Sequence, residues 1–218
     1  MIDPAKYVSL SPYLFQRLTS HLCQYYEFGA MQSIGATIDV WATNSSLRPR
    51  SVVLQLDFVD LKTDWTERES HIFELLPNQT TELLSAPCAG PPREKSPSPN
   101  GNPAFTTTCS VVVGAKLLDQ KTGEVLARYA DWPQPYKYLT LPDPGLTVSI
   151  DRTAGKVEVE VKKPAKCVFF TTDGDVDPKW SDNALDLMPG EKTILDVEGL
   201  GEQTISVARL GRETAYVV

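Results

Sequence analysis

The sequence predicts an all-β protein: two consecutive immunoglobulin-like antiparallel β-sandwiches with a short N-terminal amphipathic helix. Three observations lead there. Apolar and polar residues alternate over many short runs, with turn residues between the runs. No long helical period interrupts those runs, which argues against alternating β and α units. Past the middle of the chain, Arg128 to Gly145 carries four prolines together with Trp132, Tyr136 and Tyr138. Proline fixes φ and pushes the preceding residue toward extended geometry, so this stretch reads as a stiff, packed strap and not as a Gly/Ser linker. The organisation that follows is a helical segment over 1–34, a first sandwich over 35–130, the strap over 131–145 and a second sandwich over 146–218.

The elements can be justified in order. Ser11-Pro12 reads as an N-cap followed by proline at the first helical position. Leu14, Phe15, Leu18 and Leu22 recur at helical spacing and give an amphipathic helix of about three turns. From Gly35 the period switches to two. Ile38, Val40 and Ala42 share one face of a strand, and Val52, Leu54, Leu56 and Phe58 share one face of the next. Trp65 to Leu75 reads as a third strand whose Glu67, Glu69 and Glu74 suggest a solvated face. Thr80 to Leu84, Thr107 to Leu118 and Glu124 to Tyr129 complete the first set, with Lys121-Thr122-Gly123 as a hairpin turn. Between the fourth and fifth strands, residues 86–104 are dense in Pro, Gly and Ser and predict an exposed, disordered loop. After the strap, strands are expected from Leu146, Val157, Cys167, Ala184, Thr193, Thr204 and Thr214. Seven short strands in so few residues match an immunoglobulin-like sandwich.

Composition narrows the function. The 218 residues carry a formal net charge of −7, with 14 acidic and 9 basic residues over 143–218, hence −5 there and −2 in the first 142. Neither part offers the basic stripe that nucleic acid requires, and an anionic membrane would repel both. No apolar run approaches the roughly 18 residues of a membrane-spanning helix. The opening residues lack the pattern of a secretory signal, so a cytoplasmic location is expected. Cys23, Cys88, Cys109 and Cys167 form no CxxC pair, which argues against a zinc ribbon or a thioredoxin-like site. A bridge between Cys88 and Cys109 stays open. Asn44-Ser45-Ser46 and Asn78-Gln79-Thr80 are sequons that matter only in a secreted chain.

No active site emerges from the motifs. Asp173, Asp175 and Asp177 copy the first ligand positions of a helical calcium loop. The sixth position is Pro178 where glycine is needed, and the twelfth is Ala184 where a bidentate Glu is needed. A solvated acidic loop is the better reading. His21 and His71 stand apart from any nucleophile. Glu158 and Glu160 share a strand face, yet among lysines they read as a solvent side and not as a glycosidase pair. No catalytic, cofactor-binding or metal-binding residue is nominated, and no cofactor is expected.

Three stretches resemble a known family. Leu126 to Leu139, with Trp132, Pro133, Pro135 and Tyr136, is similar to the junction between the last two domains of fungal β-mannosidases of glycoside hydrolase family two. Lys179 to Ile194 resembles the hallmark of the final domain there, in which an aromatic precedes Ser-Asp-Asn and a short strand runs into Pro-Gly-Glu. Here those positions are Trp180, Ser181, Asp182, Asn183, Pro189 and Gly190. Ile38 to Leu47 is similar to the first strand and turn of the preceding sandwich. The resemblance covers about 36–218 and implies a C-terminal accessory region. Trp180 is expected to plug the core, with Asp182 and Asn183 capping the turn. In that family two carboxylates in a (β/α)8 barrel remove terminal β-linked mannose with retention. Nothing in this sequence matches the barrel, and residues 1–35 depart from the family pattern. The implied partner is the barrel of the parent glycosidase, in cis or lost. Two other readings stay open. One is a carbohydrate-binding module that takes glycans on Trp41 or Trp65, and the other is an immunoglobulin-like interaction protein.

Overall fold

The computed structural model describes residues 37–91, 110–133, 136, 139–174 and 177–217. The expected helix and the rest of 1–34 lie outside these residues, as do 92–109, Pro135 and Tyr138. Every element shown is a β-strand, and the strands form antiparallel sheets. The chain divides into two compact units at Leu139/Thr140.

Unit 1 holds β1 (Thr37–Asn44), β2 (Arg50–Asp60), β3 (Thr66–Leu75), β4 (Gln79–Pro87), β5 (Val111–Asp119) and β6 (Val125–Asp131). β1 and β4 make a two-stranded sheet, and the other four pair in the order β3-β2-β5-β6. The period of two places Ile38, Val40 and Ala42 in one core with Val52, Leu54, Leu56 and Phe58. Each such side chain removed from water contributes about 1.5–3 kcal/mol.

Two expectations are corrected here. Glu67 and Glu69 stand opposite Phe58 and Leu56, on the inward side, whereas Glu74 stands opposite Ser51 on the outward side. The three glutamates therefore do not share a face. The inward pair keeps access to water, since among the described residues the facing sheet is two strands wide. The loop also starts later than expected. Ala86 and Pro87 end β4 opposite Ile38 and Thr37, and Cys88 and Ala89 pack against the core. Proline is tolerated at that strand end because no further ladder needs its missing N–H. The strand expected from Thr107 is described from Val111, and residues 107–109 lie outside the described residues.

The outward side of the four-stranded sheet changes character along its length. Val59 and its partner Val112 are buried, as is Ala130 opposite Gly114, and Trp132 just beyond β6 is 1% exposed. Midway, Asp57 is only 7% exposed. It is neutralised by Arg68 and by Lys116 at 3.6 Å, and it accepts a hydrogen bond from Gln55. At the other end Ile72, Val53, Leu118 and Val125 line up across all four strands.

Unit 2 holds β7 (Thr147–Asp151), β8 (Lys156–Glu160), β9 (Ala165–Thr172), β10 (Lys179–Trp180), β11 (Leu185–Leu187), β12 (Thr193–Glu198), β13 (Ile205–Arg209) and β14 (Arg212–Val217). Two four-stranded sheets, β10-β12-β8-β7 and β11-β9-β13-β14, enclose a core that includes Val157, Val159, Val168, Phe170, Leu195, Ile205 and Val207. β10 is absent from the sequence reading. At two residues it shows no alternation, and its acidic neighbours resemble a loop.

The strap divides its attachments. Trp132 and Pro133 are buried, Tyr136 is partly exposed, and Leu139 N–H donates to the Tyr136 carbonyl. From Thr140 the chain is fastened to unit 2. Pro144 O accepts from Lys162 N at 2.7 Å and from Lys163 N at 3.1 Å. Leu141 packs against Gly211, whose φ of +82° favours glycine and whose missing Cβ leaves room for the leucine.

Candidate functional site

The residues singled out by sequence fall in two places, one at the strap end of unit 1 and one in unit 2. Trp132, Pro133 and Tyr136 belong to unit 1. Trp180 to Gly190 forms the passage by which unit 2 switches sheets. This passage is the most densely cross-linked stretch of the motif.

β10 pairs with β12, Trp180 opposite Val197. The Trp180 ring stacks on Phe170 with centroids 5.3 Å apart and planes at 26°. Its polar neighbours then extend the pairing beyond the strand. Ser181 N donates to Asp196 O, and Asp196 N donates to Ser181 Oγ at 2.9 Å. Asp182 is exposed and accepts from Asn183 N. Asn183 does the crossing. Its Oδ1 accepts from Phe170 N and its Nδ2 donates to Phe170 O, both at 2.9 Å. The same Oδ1 accepts from Ala184 N, which holds Ala184 at φ +59°. One amide side chain thus copies a β-ladder partner for β9, a geometry that needs both a donor and an acceptor on a short stem. Leu185, Leu187 and Met188 are buried next, and Pro189-Gly190 turns the chain with Gly190 at φ +79°. A second carboxylate brace follows the same logic. Asp186 accepts from Cys167 N and from Lys166 Nζ, which secures the bulge where Cys167 takes φ +52°.

The sequence motif identified Asn183 but not its partner. Phe170 and Asp196 carry no signal that links them to Ser-Asp-Asn, because backbone acceptors and donors are the same in every residue.

The titratable groups are arranged for structure. Glu158 and Glu160 both bond Lys192 Nζ, at 2.6 and 3.2 Å, and first Glu158, then Glu160, hold that ammonium above the ordinary lysine range. Both carboxylates are thus committed to the one lysine. The Thr204 side chain, then its backbone N–H, lower the Asp173 carboxyl. His71 lies 3.3 Å from Glu69 and against Phe73. Among the described residues no cluster of His, Cys, Asp and Glu could hold a metal. Trp65 packs against the unit 1 core and Trp41 is half-buried.

This architecture, two sandwiches joined through a proline- and aromatic-rich segment, has close counterparts. Residues 36–138 match the mannosidase Ig/CBM-like domain family, and residues 141–211 match an Ig-fold domain family of mannosidases. A β-mannosidase B of Emericella nidulans is 32% identical over 168 residues, which are 74% of this chain and 18% of that protein. The β-mannosidase B of Thermothelomyces thermophilus is 31% identical over 171 residues, 77% of this chain and 19% of its own length. A β-D-mannosidase structure from Dictyoglomus thermophilum superposes with a TM-score of 0.58 at 12% identity, covering 80% of this chain and 20% of that one. An exo-chitosanase from Amycolatopsis orientalis gives 0.58 at 14% identity, covering 83% and 25%. These two show the shared fold.

The class is therefore a tandem of mannosidase-type immunoglobulin-like domains. Within that class the chain belongs to the β-mannosidase family of glycoside hydrolases, as its immunoglobulin-like accessory domains. It spans about a fifth of the length of the curated relatives it matches. In them the matched residues are domains within a larger glycosidase. A (β/α)8 barrel takes about 250 residues, more than these 218.

Proposed function

We propose that the chain is the non-catalytic scaffold of a β-mannosidase, supporting a catalytic barrel that lies in cis and hydrolyses terminal β-D-mannose residues. The observation that carries this reading is the collinear pair of domain matches over 36–138 and 141–211, found in relatives named β-mannosidase B. The chemistry agrees with it. Retaining hydrolysis takes two carboxylates about 5–5.5 Å apart across one sugar, one of them with a raised pKa. Described carboxylates are tied up in structural contacts: Glu158 and Glu160 with Lys192, Asp57 with Arg68 and Lys116, and Asp60 with Thr63 and Ser110. The free, exposed thiol of Cys167 supports a reducing compartment such as the cytoplasm.

The carbohydrate-binding reading is weakened by Trp65, which is committed to the core. The test is release of p-nitrophenol from its β-mannoside. The purified chain is expected to give none. Turnover by the chain, lost on changing one of its own carboxylates, would refute the scaffold reading.

A further inference from the structure

The edge strand of a sheet leaves backbone N–H and C=O groups without a strand partner, and proteins blunt such edges with prolines, bulges or short strands. Most described edges of this chain follow that rule. β7, β10 and β11 run for five, two and three residues. β6 and β14 pair with their neighbours across register shifts, as do β1 and β4, and β4 ends in Pro87. β3 is different. All ten of its residues, Thr66–Leu75, hold one unbroken register with β2, without proline or glycine. Among the described residues no strand pairs with its other side.

Charge is what guards this edge: Glu67, Arg68, Glu69 and Glu74 deter foreign strands. Against its own copy the same pattern is complementary. A two-fold axis normal to the sheet sets two β3 strands antiparallel and keeps outward residues opposite outward residues. Only axes at Ser70 or at His71 then pair nine residues. With the axis at His71, Arg68 of each copy stands opposite Glu74 of the other. Ser70 stands opposite Ile72, and the two Ile72 side chains, each 67% exposed in the single chain, become diagonal neighbours. On the inward side Glu69 stands opposite Phe73 and Glu67 opposite Leu75, so no two carboxylates meet. An axis at Ser70 instead sets Arg68 opposite Ile72 and Glu74 opposite Thr66, which leaves the ion pair only on the diagonal.

Both partners of that pair are available. Arg68 contacts Asp57 through Nε and is exposed, and Glu74 is exposed at the outward side of the strand. Antiparallel partners exchange two backbone bonds at every second pair, so nine pairs exchange about eight to ten. A stable interface carries about 10 ± 5 direct hydrogen bonds, which this strand edge supplies from its backbone alone.

We propose that the β3 edge is a homodimer interface, in which a second copy of this chain continues the unit 1 sheet across a two-fold axis at His71. The sheet β3-β2-β5-β6 then becomes half of an eight-stranded one. The inference goes beyond the scaffold reading and does not depend on it.

Sedimentation velocity on the 218-residue chain tests it. At about 100 μM the parent is expected to run as a dimer of twice 24.1 kDa. Glu74→Arg sets like charges opposite each other at two places and should weaken association about tenfold or more. Its near-ultraviolet circular dichroism should match the parent, because Glu74 already faces water. Arg68→Glu should weaken association in the same way, with Gln55 and Lys116 still holding Asp57. Mixed one to one, the two variants regain both ion pairs and should dimerise as the parent does. A parent that stays monomeric overturns the inference, as does a dimer that Glu74→Arg leaves as tight as before. So do two folded variants that remain monomers on mixing. If Arg68→Glu does not fold, the result for Glu74→Arg decides alone.

Discussion

Replacing Asn183 with alanine removes three hydrogen bonds at once: two to the Phe170 backbone and one from Ala184 N. The Phe170 side chain is fully buried and Trp180 covers it, so its amide and carbonyl have little else to bond. A deprived, largely buried backbone group costs about 1–3 kcal/mol, and partial access to water puts each loss at the lower end, for a total of about 2–4 kcal/mol. For a domain the size of unit 2, 1 kcal/mol shifts Tm by about 4–8 °C, so Asn183→Ala should lower it by roughly 10–25 °C. Trp180 is the sole tryptophan of unit 2, and the other three lie in unit 1. Its fluorescence, followed beside near-ultraviolet circular dichroism, therefore isolates the affected transition. Asn183→Asp keeps the acceptor for Phe170 N and loses the donor for Phe170 O, which predicts an intermediate loss. Asp182→Ala touches one local bond on the surface and should stay within about 0.5 kcal/mol. A Tm change under about 3 °C for Asn183→Ala, or an Asn183→Asp variant as stable as the parent, would refute the bridging role.

Two further outcomes are expected. Asp119 accepts from Lys121 N and Thr122 N in the β5–β6 turn, and the Thr122 N–H, then that of Lys121, lower its carboxyl below the ordinary 3.8. A depressed carboxyl stabilises above its unfolded value and loses that contribution as pH falls through its folded value. Asp119→Ala should therefore be less stable than the parent at pH 7, with the gap in denaturant midpoint closing as pH drops below about 3.8; a gap that persists at pH 2 contradicts this. When the chain is forced through a yeast secretory pathway with an added leader, folded product should carry glycan on Asn78 and not on Asn44. Asn78 is exposed at a turn, whereas Asn44 is 5% exposed and its Nδ2 donates to Arg48 O and Leu75 O. Peptide mapping by mass spectrometry decides, and a modified Asn44 in folded protein would contradict the geometry.

The sequence makes some of this legible and hides the rest for identifiable reasons. Alternation in Ile38–Ala42 and Val52–Phe58 reports burial directly, because one face of each strand meets the other sheet. The same rule fails at Glu67 and Glu69. It assumes that every inward residue has a sheet above it, and among the described residues the two-stranded partner sheet leaves this edge strand uncovered. β10 is hidden because two residues carry no period. At the Ser-Asp-Asn block, turn chemistry was readable from side-chain type, but its partner 13 residues earlier was not, since a backbone amide has no signature. The outward row of Ile72, Val53, Leu118 and Val125 needs four strands in register before it exists at all. Each residue alone reads as ordinary alternation.

The bridge from Asn183 to Phe170 also bears on the order in which unit 2 assembles. It closes a loop of 13 residues, whereas the pairings of β12 with β8 span 34 to 40. Loop-closure entropy grows with the logarithm of length, so the short closure is easier by about 0.9 kcal/mol and needs nothing beyond Ala184 to have been synthesised. As the chain leaves the ribosome, β9 can therefore be clasped by Asn183 while β12 and β13 are still unmade. The asparagine holds the central strand of its sheet in an edge-like state until β13 arrives to take the other side. A variant lacking that amide would expose β9 during this interval, and aggregation during synthesis would then exceed what the finished domain's stability predicts.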